Sequence, residues 1–205
     1  MMRRLLAIVV VGLAVAGSMM WSKSVRPDTL STEIQAHPAY PATKRYEVNG
    51  SLLSERSLQG TSDTGGVDYV NGDQLAIKAA WLDIDSKQAW QVELELDVTT
   101  LSTYGGKGEH AEYKVVLGPG ADVTITTPHP EWLRHVGNDQ MHRITPEQEI
   151  PITLVELCGE PLAADDPLVA DLALGIEDWA VTRVQRNKDA YLRENAAPTA
   201  RCGSS

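Results

Sequence analysis

One stretch of the sequence alternates apolar and polar residues without interruption. Its apolar members are Trp90, Val92, Leu94, Leu96 and Val98, and the polar residues between and after them are Gln91, Glu93, Glu95, Asp97 and Thr99. Because successive side chains of a strand point to opposite faces, this spacing predicts a strand with one buried and one solvated face. The chain must therefore build at least one sheet that covers a hydrophobic core.

Further alternating segments surround this strand, at residues 75–81, 113–117, 123–125 and 150–154. The dipeptides Asn49-Gly50 and Asn71-Gly72 supply the positive φ angles of tight turns, and we expect a hairpin at each. Several short strands separated by turns are more typical of a sandwich than of a barrel. The predicted fold is all-β, an antiparallel, immunoglobulin-like β-sandwich.

The C-terminal third of the domain allows two interpretations. The Asp-Pro pair at 166–167 is a typical helix start. Three apolar residues nevertheless alternate as in a strand, namely Leu172, Leu174 and Ile176. We favour strands over residues 170–185 and a short helix near residues 189–195, and a helix in the first of these regions is the alternative.

The N-terminus carries a hydrophobic run behind two positive charges. Arg3 and Arg4 precede an uncharged, mostly apolar stretch that reaches Trp21. This pattern is typical of a cleaved signal peptide or of a retained signal-anchor helix. The small residues Ala14 and Ala16 favour cleavage, whereas Trp21 favours retention as an interfacial anchor. Both interpretations export the remainder, so we expect a domain outside the cytoplasm, anchored in the cytoplasmic membrane or secreted.

Composition shifts divide the chain into four predicted segments. They are a signal peptide or signal-anchor helix at 1–21, a Pro/Ser/Thr-rich tether at 22–43, an extracytoplasmic domain at 44–192 and a C-terminal tail at 193–205. An edge strand near Glu33 is the alternative to an extended tether.

The chain has two cysteines, Cys158 and Cys202. In an oxidising compartment a disulfide is the default state of such a pair. We therefore expect a bond that ties the C-terminal tail to the core, with two free thiols as the alternative.

The charge balance limits the classes of partner. Lys and Arg number 18 against 28 Asp and Glu, which gives a net charge of −10 at pH 7. Nucleic-acid binding needs a basic face, so we expect no nucleic-acid partner. An anionic lipid surface would also repel this charge, so we expect membrane contact through the N-terminal helix only.

A histidine-rich segment is the candidate metal site. Its potential ligands are His129, Glu131, His135 and His142, with His110 as a further candidate. Imidazole and carboxylate groups bind copper or zinc, but this spacing matches no established metal motif. The prolines and glycine of the segment predict a loop, and solvated loop histidines are the alternative. No other cofactor is expected.

The same segment contains the candidate partner contact, Trp132, Leu133 and Arg134. A tryptophan beside an arginine has the composition of an interface hot spot. The alternative is that Trp132 closes one end of the sandwich. Trp81 and Trp90 lie on the apolar faces of adjacent predicted strands, so we expect both of them in the core.

The sequence shows no nucleophile elbow and no local catalytic constellation. We therefore expect a non-enzymatic binding or assembly module for an envelope protein or membrane complex. A periplasmic copper- or zinc-binding protein is the first alternative. An exported hydrolase is the second, because catalytic residues need not be close in sequence.

Overall fold

A computed structural model describes most of the chain. The described residues are 26–58, 62–67, 72–104, 110–137, 141–174 and 176–202. Within them the strands form two sheets, one of six strands and one of five. The predicted N-terminal helix, residues 1–21, lies outside the described residues.

The strands of the described residues follow one another in this order: β1 (Thr29–Ala36), β2 (Ala42–Val48), β3 (Ser51–Ser57), β4 (Ser62–Val67), β5 (Gln74–Asp83), β6 (Ala89–Asp97), β7 (Thr103–Tyr104), β8 (His110–Leu117), β9 (Asp122–Thr127), β10 (Ile152–Cys158) and β11 (Glu160–Pro161). The first sheet has the order β10-β9-β8-β1-β4, with β7 also paired to β8, and the second has the order β11-β6-β5-β2-β3. Paired strands are antiparallel except for β1 and β8, which are parallel. Two antiparallel-rich sheets are consistent with the predicted β-sandwich.

The two tryptophans predicted for the core lie opposite each other in the second sheet. Trp81 of β5 pairs with Trp90 of β6, and their ring centroids are 6.0 Å apart. Both side chains are buried. The indole N–H of Trp81 donates a hydrogen bond of 3.2 Å to the carbonyl of Gly120, which lies between β8 and β9 of the first sheet. The prediction that both tryptophans fill the core is confirmed.

A buried chain of hydroxyl groups also joins the two sheets. Thr32 of β1 shares a hydrogen bond of 2.6 Å with Tyr46 of β2, whose hydroxyl donates to that of Tyr113 in β8 at 2.9 Å. All three side chains are at most 1% exposed. Buried polar groups need such partners, so this network sets the relative position of the sheets as well as filling the core.

The tether predicted for residues 22–43 is wrong over Thr29–Ala36, where the chain forms β1. Leu30 and Ile34 are buried in the core. The strand lies between β8 and β4, so it is not an edge strand either. The inward position between the two apolar residues holds Thr32, and this polar residue hides the period-two pattern.

One of the two predicted hairpins is present. Asn49 and Gly50 have φ angles of 50° and 76° and connect β2 to the neighbouring β3. The hairpin predicted at 71–72 is wrong, because β4 and β5 belong to different sheets. Gly72 does have a positive φ of 98°, whereas Asn71 lies outside the described residues.

The helices of the described residues are α1 (Pro130–Gly137), α2 (Pro146–Glu149), α3 (Pro167–Ala173) and α4 (Asp178–Glu194). Short 3₁₀ turns occur at Val98–Thr100 and Met141–Arg143. None of the helices in this part of the chain combines the length and the apolar character needed to cross a bilayer.

The strands predicted over residues 170–185 are wrong, because this region contains α3 and α4. The carboxylate of Asp166 accepts a hydrogen bond of 2.8 Å from the backbone N–H of Leu168 and so caps α3. Leu172 is fully buried in a cluster with residues of β5 and β6, whereas Leu174 is 57% exposed. An outer helix of the sandwich therefore explains the apolar residues that alternate in sequence.

The helix predicted near residues 189–195 belongs to the longer α4. Ala180 and Val184 lie one turn apart and pack against Leu58 and Ile84. Residues spaced by four share one face of a helix, which explains why this segment buries a single stripe. The predicted short helix is correct in type but its start is wrong.

The predicted disulfide between Cys158 and Cys202 is confirmed, with a Cα–Cα distance of 5.6 Å. It joins the end of β10 to the C-terminal tail. The tail also accepts a hydrogen bond at the carbonyl of Pro198 from the Tyr40 hydroxyl, at 2.8 Å. The tail is thus held against the sandwich, as expected for a disulfide-bonded segment.

Candidate partner-binding surface

The segment predicted as a loop with functional residues contains a helix. α1 follows β9 directly and contacts α2, β7 and the 3₁₀ turn at Met141–Arg143. Pro130 begins the helix, where its missing N–H removes no intrahelical hydrogen bond. The backbone N–H of Glu131 donates a hydrogen bond of 3.1 Å to Nδ1 of His129. Pro130, which suggested a loop in the sequence, is therefore the first residue of a helix.

The helix separates the three predicted contact residues. Trp132 is half-buried at the surface, whereas Leu133 is only 3% exposed and packs inward. Arg134 is exposed and forms an ion pair with Glu131. Consecutive residues of a helix point about 100° apart, so they cannot share one contact surface. Trp132 is the member of the trio that borders a groove.

That groove has a volume of about 200 Å³ and lies between α1, α2 and the outer face of the first sheet. Its lining combines aromatic and proline rings with charged side chains, and includes Trp132, Pro128, Pro151, Glu112, Lys114 and Glu149. Lys114 forms an ion pair of 2.8 Å with Glu33. Glu112 and Glu149 form no ion pair with another described residue. The groove therefore combines apolar rings with two carboxylates that have no ion-pair partner among the described residues.

The groove continues into the edge of the first sheet. Pro151 immediately precedes β10, which pairs with β9 on one side and ends the order of described strands on the other. The strand predicted at 150–154 begins at Ile152, and Ile150 lies outside it, 65% exposed. Ile152 is itself 39% exposed. An irregularity in register occurs between Thr153 and Val155.

The C-terminal half of β10 is covered by the tail. The guanidinium of Arg201 donates a hydrogen bond of 3.2 Å to the carbonyl of Leu157 and forms an ion pair of 2.7 Å with Glu156. The same guanidinium donates a hydrogen bond of 3.1 Å to the carbonyl of Val123, the β9 residue paired with Leu157, so the tail lies across the β9–β10 pair at this end. Residues 152–155 lie beside the groove, and among the described residues they have no strand partner on the side away from β9.

Three of the four predicted metal ligands, His129, Glu131 and His135, have described side chains. Glu131 is paired with Arg134, and His135 is 7% exposed with no hydrogen-bond partner for Nδ1 among the described residues. The backbone of His142 lies in the 3₁₀ turn, and its side chain is outside the described residues. No group of three His, Cys, Asp or Glu side chains that could hold a metal ion occurs in the described part of the chain.

His110 makes structural contacts instead. Its ring nitrogens share hydrogen bonds with Thr29 at 2.7 Å and Ser31 at 3.1 Å, and its ring meets Tyr104 edge-on with centroids 4.7 Å apart. Burial, followed by the negative charge of Glu112, raises the pKa of Tyr104 above its ordinary value. This cluster joins β1, β7 and β8 next to the groove, so it gives that end of the sheet a fixed shape.

No protein-family model matches the chain, and neither a curated protein nor a solved structure matches it. A functional proposal therefore depends on the chemistry of the surface itself. The surface places an aromatic groove beside a strand edge that has no partner among the described residues, and such edges are one known mode of recognising extended segments.

Proposed function

We propose that this chain is a non-enzymatic extracytoplasmic binding or assembly module for an envelope protein. In this proposal an immunoglobulin-like sandwich follows the N-terminal hydrophobic helix, which either anchors it in the cytoplasmic membrane or is removed as a signal peptide. The partner contributes an extended segment that adds to β10 and places side chains in the Trp132 groove. The disulfide supports a location outside the cytoplasm, because such bonds persist in oxidising compartments.

The observation that carries the proposal is the continuity between the groove and the open edge of β10. Pro151 lines the groove and is followed by Ile152, the first residue of the strand. An exposed strand edge presents unpaired N–H and C=O groups, to which another extended chain can hydrogen-bond. Pockets beside such an edge then select the side chains of the added strand.

The charges of the groove indicate what kind of segment fits. Glu112 and Glu149 line it, and the single lysine there, Lys114, is paired with Glu33. The whole chain also carries a net charge of −10. Complementarity therefore favours an extended segment in which apolar residues alternate with Lys or Arg.

Site-specific photo-crosslinking in the native cell envelope tests this function. The photoreactive residue replaces Trp132 or Ile152, and a matched control replaces Arg183, an exposed residue of α4. We expect one and the same envelope protein to be cross-linked from the first two positions and not from the third. Equal products from all three positions, or none from the first two, would overturn the proposal.

A periplasmic copper- or zinc-binding protein is the second candidate function. One observation favours it, since the buried imidazole of His135 has an Nδ1 atom without a hydrogen-bond partner among the described residues. Elemental analysis of the exported protein, purified without chelator, separates the two functions. Stoichiometric metal that is lost in His135→Ala would support this second function, and metal-free protein would exclude it.

A further inference from the structure

A second, larger cavity lies away from the Trp132 groove. Its volume is about 530 Å³, and it forms where the β5–β6, β8–β9 and β10–β11 connections meet α3 and the C-terminal tail. Most of its lining is apolar and includes Trp90, Ala121, Leu162, Val169 and the bonded Cys158 and Cys202. Small-molecule sites typically have this volume and an apolar lining with a few polar groups.

The walls of this cavity are held together by several bonds. The backbone N–H of Gly159 donates to the carbonyl of Ala121 at 2.8 Å, and that of Leu162 donates to Ala89 at 2.9 Å. A Cβ at Gly159 would lie 2.4 Å from the Trp81 ring, so the close approach of these walls requires glycine. The disulfide fixes the remaining wall, which is formed by the tail. The cavity is therefore preformed, which lowers the cost of ordering a site on binding.

Lys87 is the one charged residue of the cavity lining. Its backbone has a positive φ of 59°, and its N–H donates to the carbonyl of Asp83 at 3.1 Å. Lys87 is exposed, and its positive charge also attracts the nearby carboxylate of Asp85, which forms its ion pair with Lys188. A non-glycine residue in the left-handed region is a feature that is enriched at ligand-binding sites.

We propose that this cavity binds a small amphipathic carboxylate. The aliphatic part lies against Trp90 and Val169, and the carboxylate lies at the ammonium group of Lys87. Lys87 supplies the single charge among the described lining residues, and this local positive charge selects an anion over a neutral or cationic ligand, although the chain as a whole carries a net charge of −10. This site shares no lining residue with the Trp132 groove. The test of the cavity is therefore independent of the proposed function.

Calorimetric titration of the full-length chain in lipid nanodiscs tests the site, with empty nanodiscs as the blank. Octanoate is the probe. Octanol has the same alkyl length without the charge, and acetate has the carboxylate without the long alkyl group. We expect octanoate to bind with a Kd below about 1 mM, and both of the other compounds to bind at least about tenfold more weakly. Octanoate that fails to saturate, or that binds no better than octanol, would overturn the proposal.

Three variants locate the binding. We expect Lys87→Gln to weaken octanoate binding by about fivefold or more, because one partly solvated charge contact is lost. The affinity for octanol should not change. The matched control is Lys78→Gln, which removes an exposed lysine paired with Glu93 outside the cavity and should leave octanoate binding unchanged. Ala164→Trp fills the cavity from its exposed rim and should abolish binding. Equal effects of the two lysine substitutions, or full octanoate affinity in Ala164→Trp, would place the binding elsewhere and contradict the proposal.

Discussion

Asp122 accepts a hydrogen bond of 2.6 Å from the backbone N–H of Cys202, although the two residues are 80 positions apart. Its second carboxylate oxygen accepts a hydrogen bond of 2.8 Å from the N–H of Arg201. The Asp122 side chain is buried, so these two bonds satisfy a carboxylate that water does not reach freely. They hold the tail on the end of the first sheet where β9 begins and β10 finishes.

We expect Asp122→Asn to destabilise the chain by about 1.5–3 kcal/mol, because an amide nitrogen replaces one acceptor of a charge-assisted bond. Urea unfolding at neutral pH with the disulfide intact measures the effect. The control, Asp165→Asn, changes an exposed carboxylate and should alter the free energy of unfolding by less than about 0.5 kcal/mol. Equal stabilities of the two variants would contradict the role assigned to Asp122.

Removal of the disulfide by Cys158→Ser together with Cys202→Ser should lower the free energy of unfolding by about 4 kcal/mol. This magnitude follows from the loop entropy of a bond with a sequence separation of 44. Urea unfolding with and without dithiothreitol measures it. The native chain should fall to the stability of the double variant when it is reduced, and the double variant should not respond. A double variant as stable as the oxidised native chain would contradict the tail as a structural element.

The hydrogen-bonded hydroxyl groups in the core predict that removal of a single hydroxyl lowers the free energy of unfolding. Tyr46→Phe leaves the buried hydroxyl groups of Thr32 and Tyr113 without their shared partner, so we expect a loss of about 1–3 kcal/mol in the free energy of unfolding. Thermal and urea unfolding both measure it. Tyr104→Phe, at a half-buried site outside this network, is the control, with an expected change below about 0.5 kcal/mol. Similar effects of both variants would show that the network does not stabilise the core.

The same residues predict sensitivity to alkali. Burial first, and then the neighbouring Tyr113, raise the pKa of Tyr46 well above its ordinary value of 10.0, and burial also raises the pKa of Tyr113. The unfolded chain therefore ionises these tyrosines before the folded chain does. Their contribution to stability is complete below pH 10.0 and is lost as the pH rises through the folded-state pKa values. Unfolding free energies on both sides of this pH check the prediction, and Tyr46→Phe should lose less stability with rising pH.

The alternating apolar residues of β5, β6, β8 and β9 were sufficient to predict those strands. A strand near Glu33 was only the alternative to a tether, because the buried face of β1 carries Thr32. The hydrogen-bond partner of Thr32 belongs to β2, and a local sequence pattern cannot reveal it. The order of the strands also depends on long-range pairing, including the parallel β1–β8 pair. In the C-terminal region the alternation of Leu172 and Leu174 was misleading, since only Leu172 is buried.

The sequence predicted where the candidate site lies along the chain, but not the secondary structure of the segment that forms it. Trp132 does border a surface groove, yet α1 directs Leu133 into the protein, and a loop assignment could not reveal this. The edge position of β10 was missed, because a strand edge is defined by the absence of a neighbour. The available signal was the pair of apolar residues Ile150 and Ile152, which are exposed on either side of Pro151.

Amide hydrogen exchange of β10 tests the central claim of strand addition most directly. The measurement compares the chain alone with the chain bound to the envelope protein that is cross-linked at Ile152. We predict that outward-facing amides within residues 152–155 exchange at least about tenfold more slowly in the complex, because they gain hydrogen-bond partners. Residues of α4 should exchange at unchanged rates. Unaltered exchange at residues 152–155 in a saturated complex would contradict strand addition.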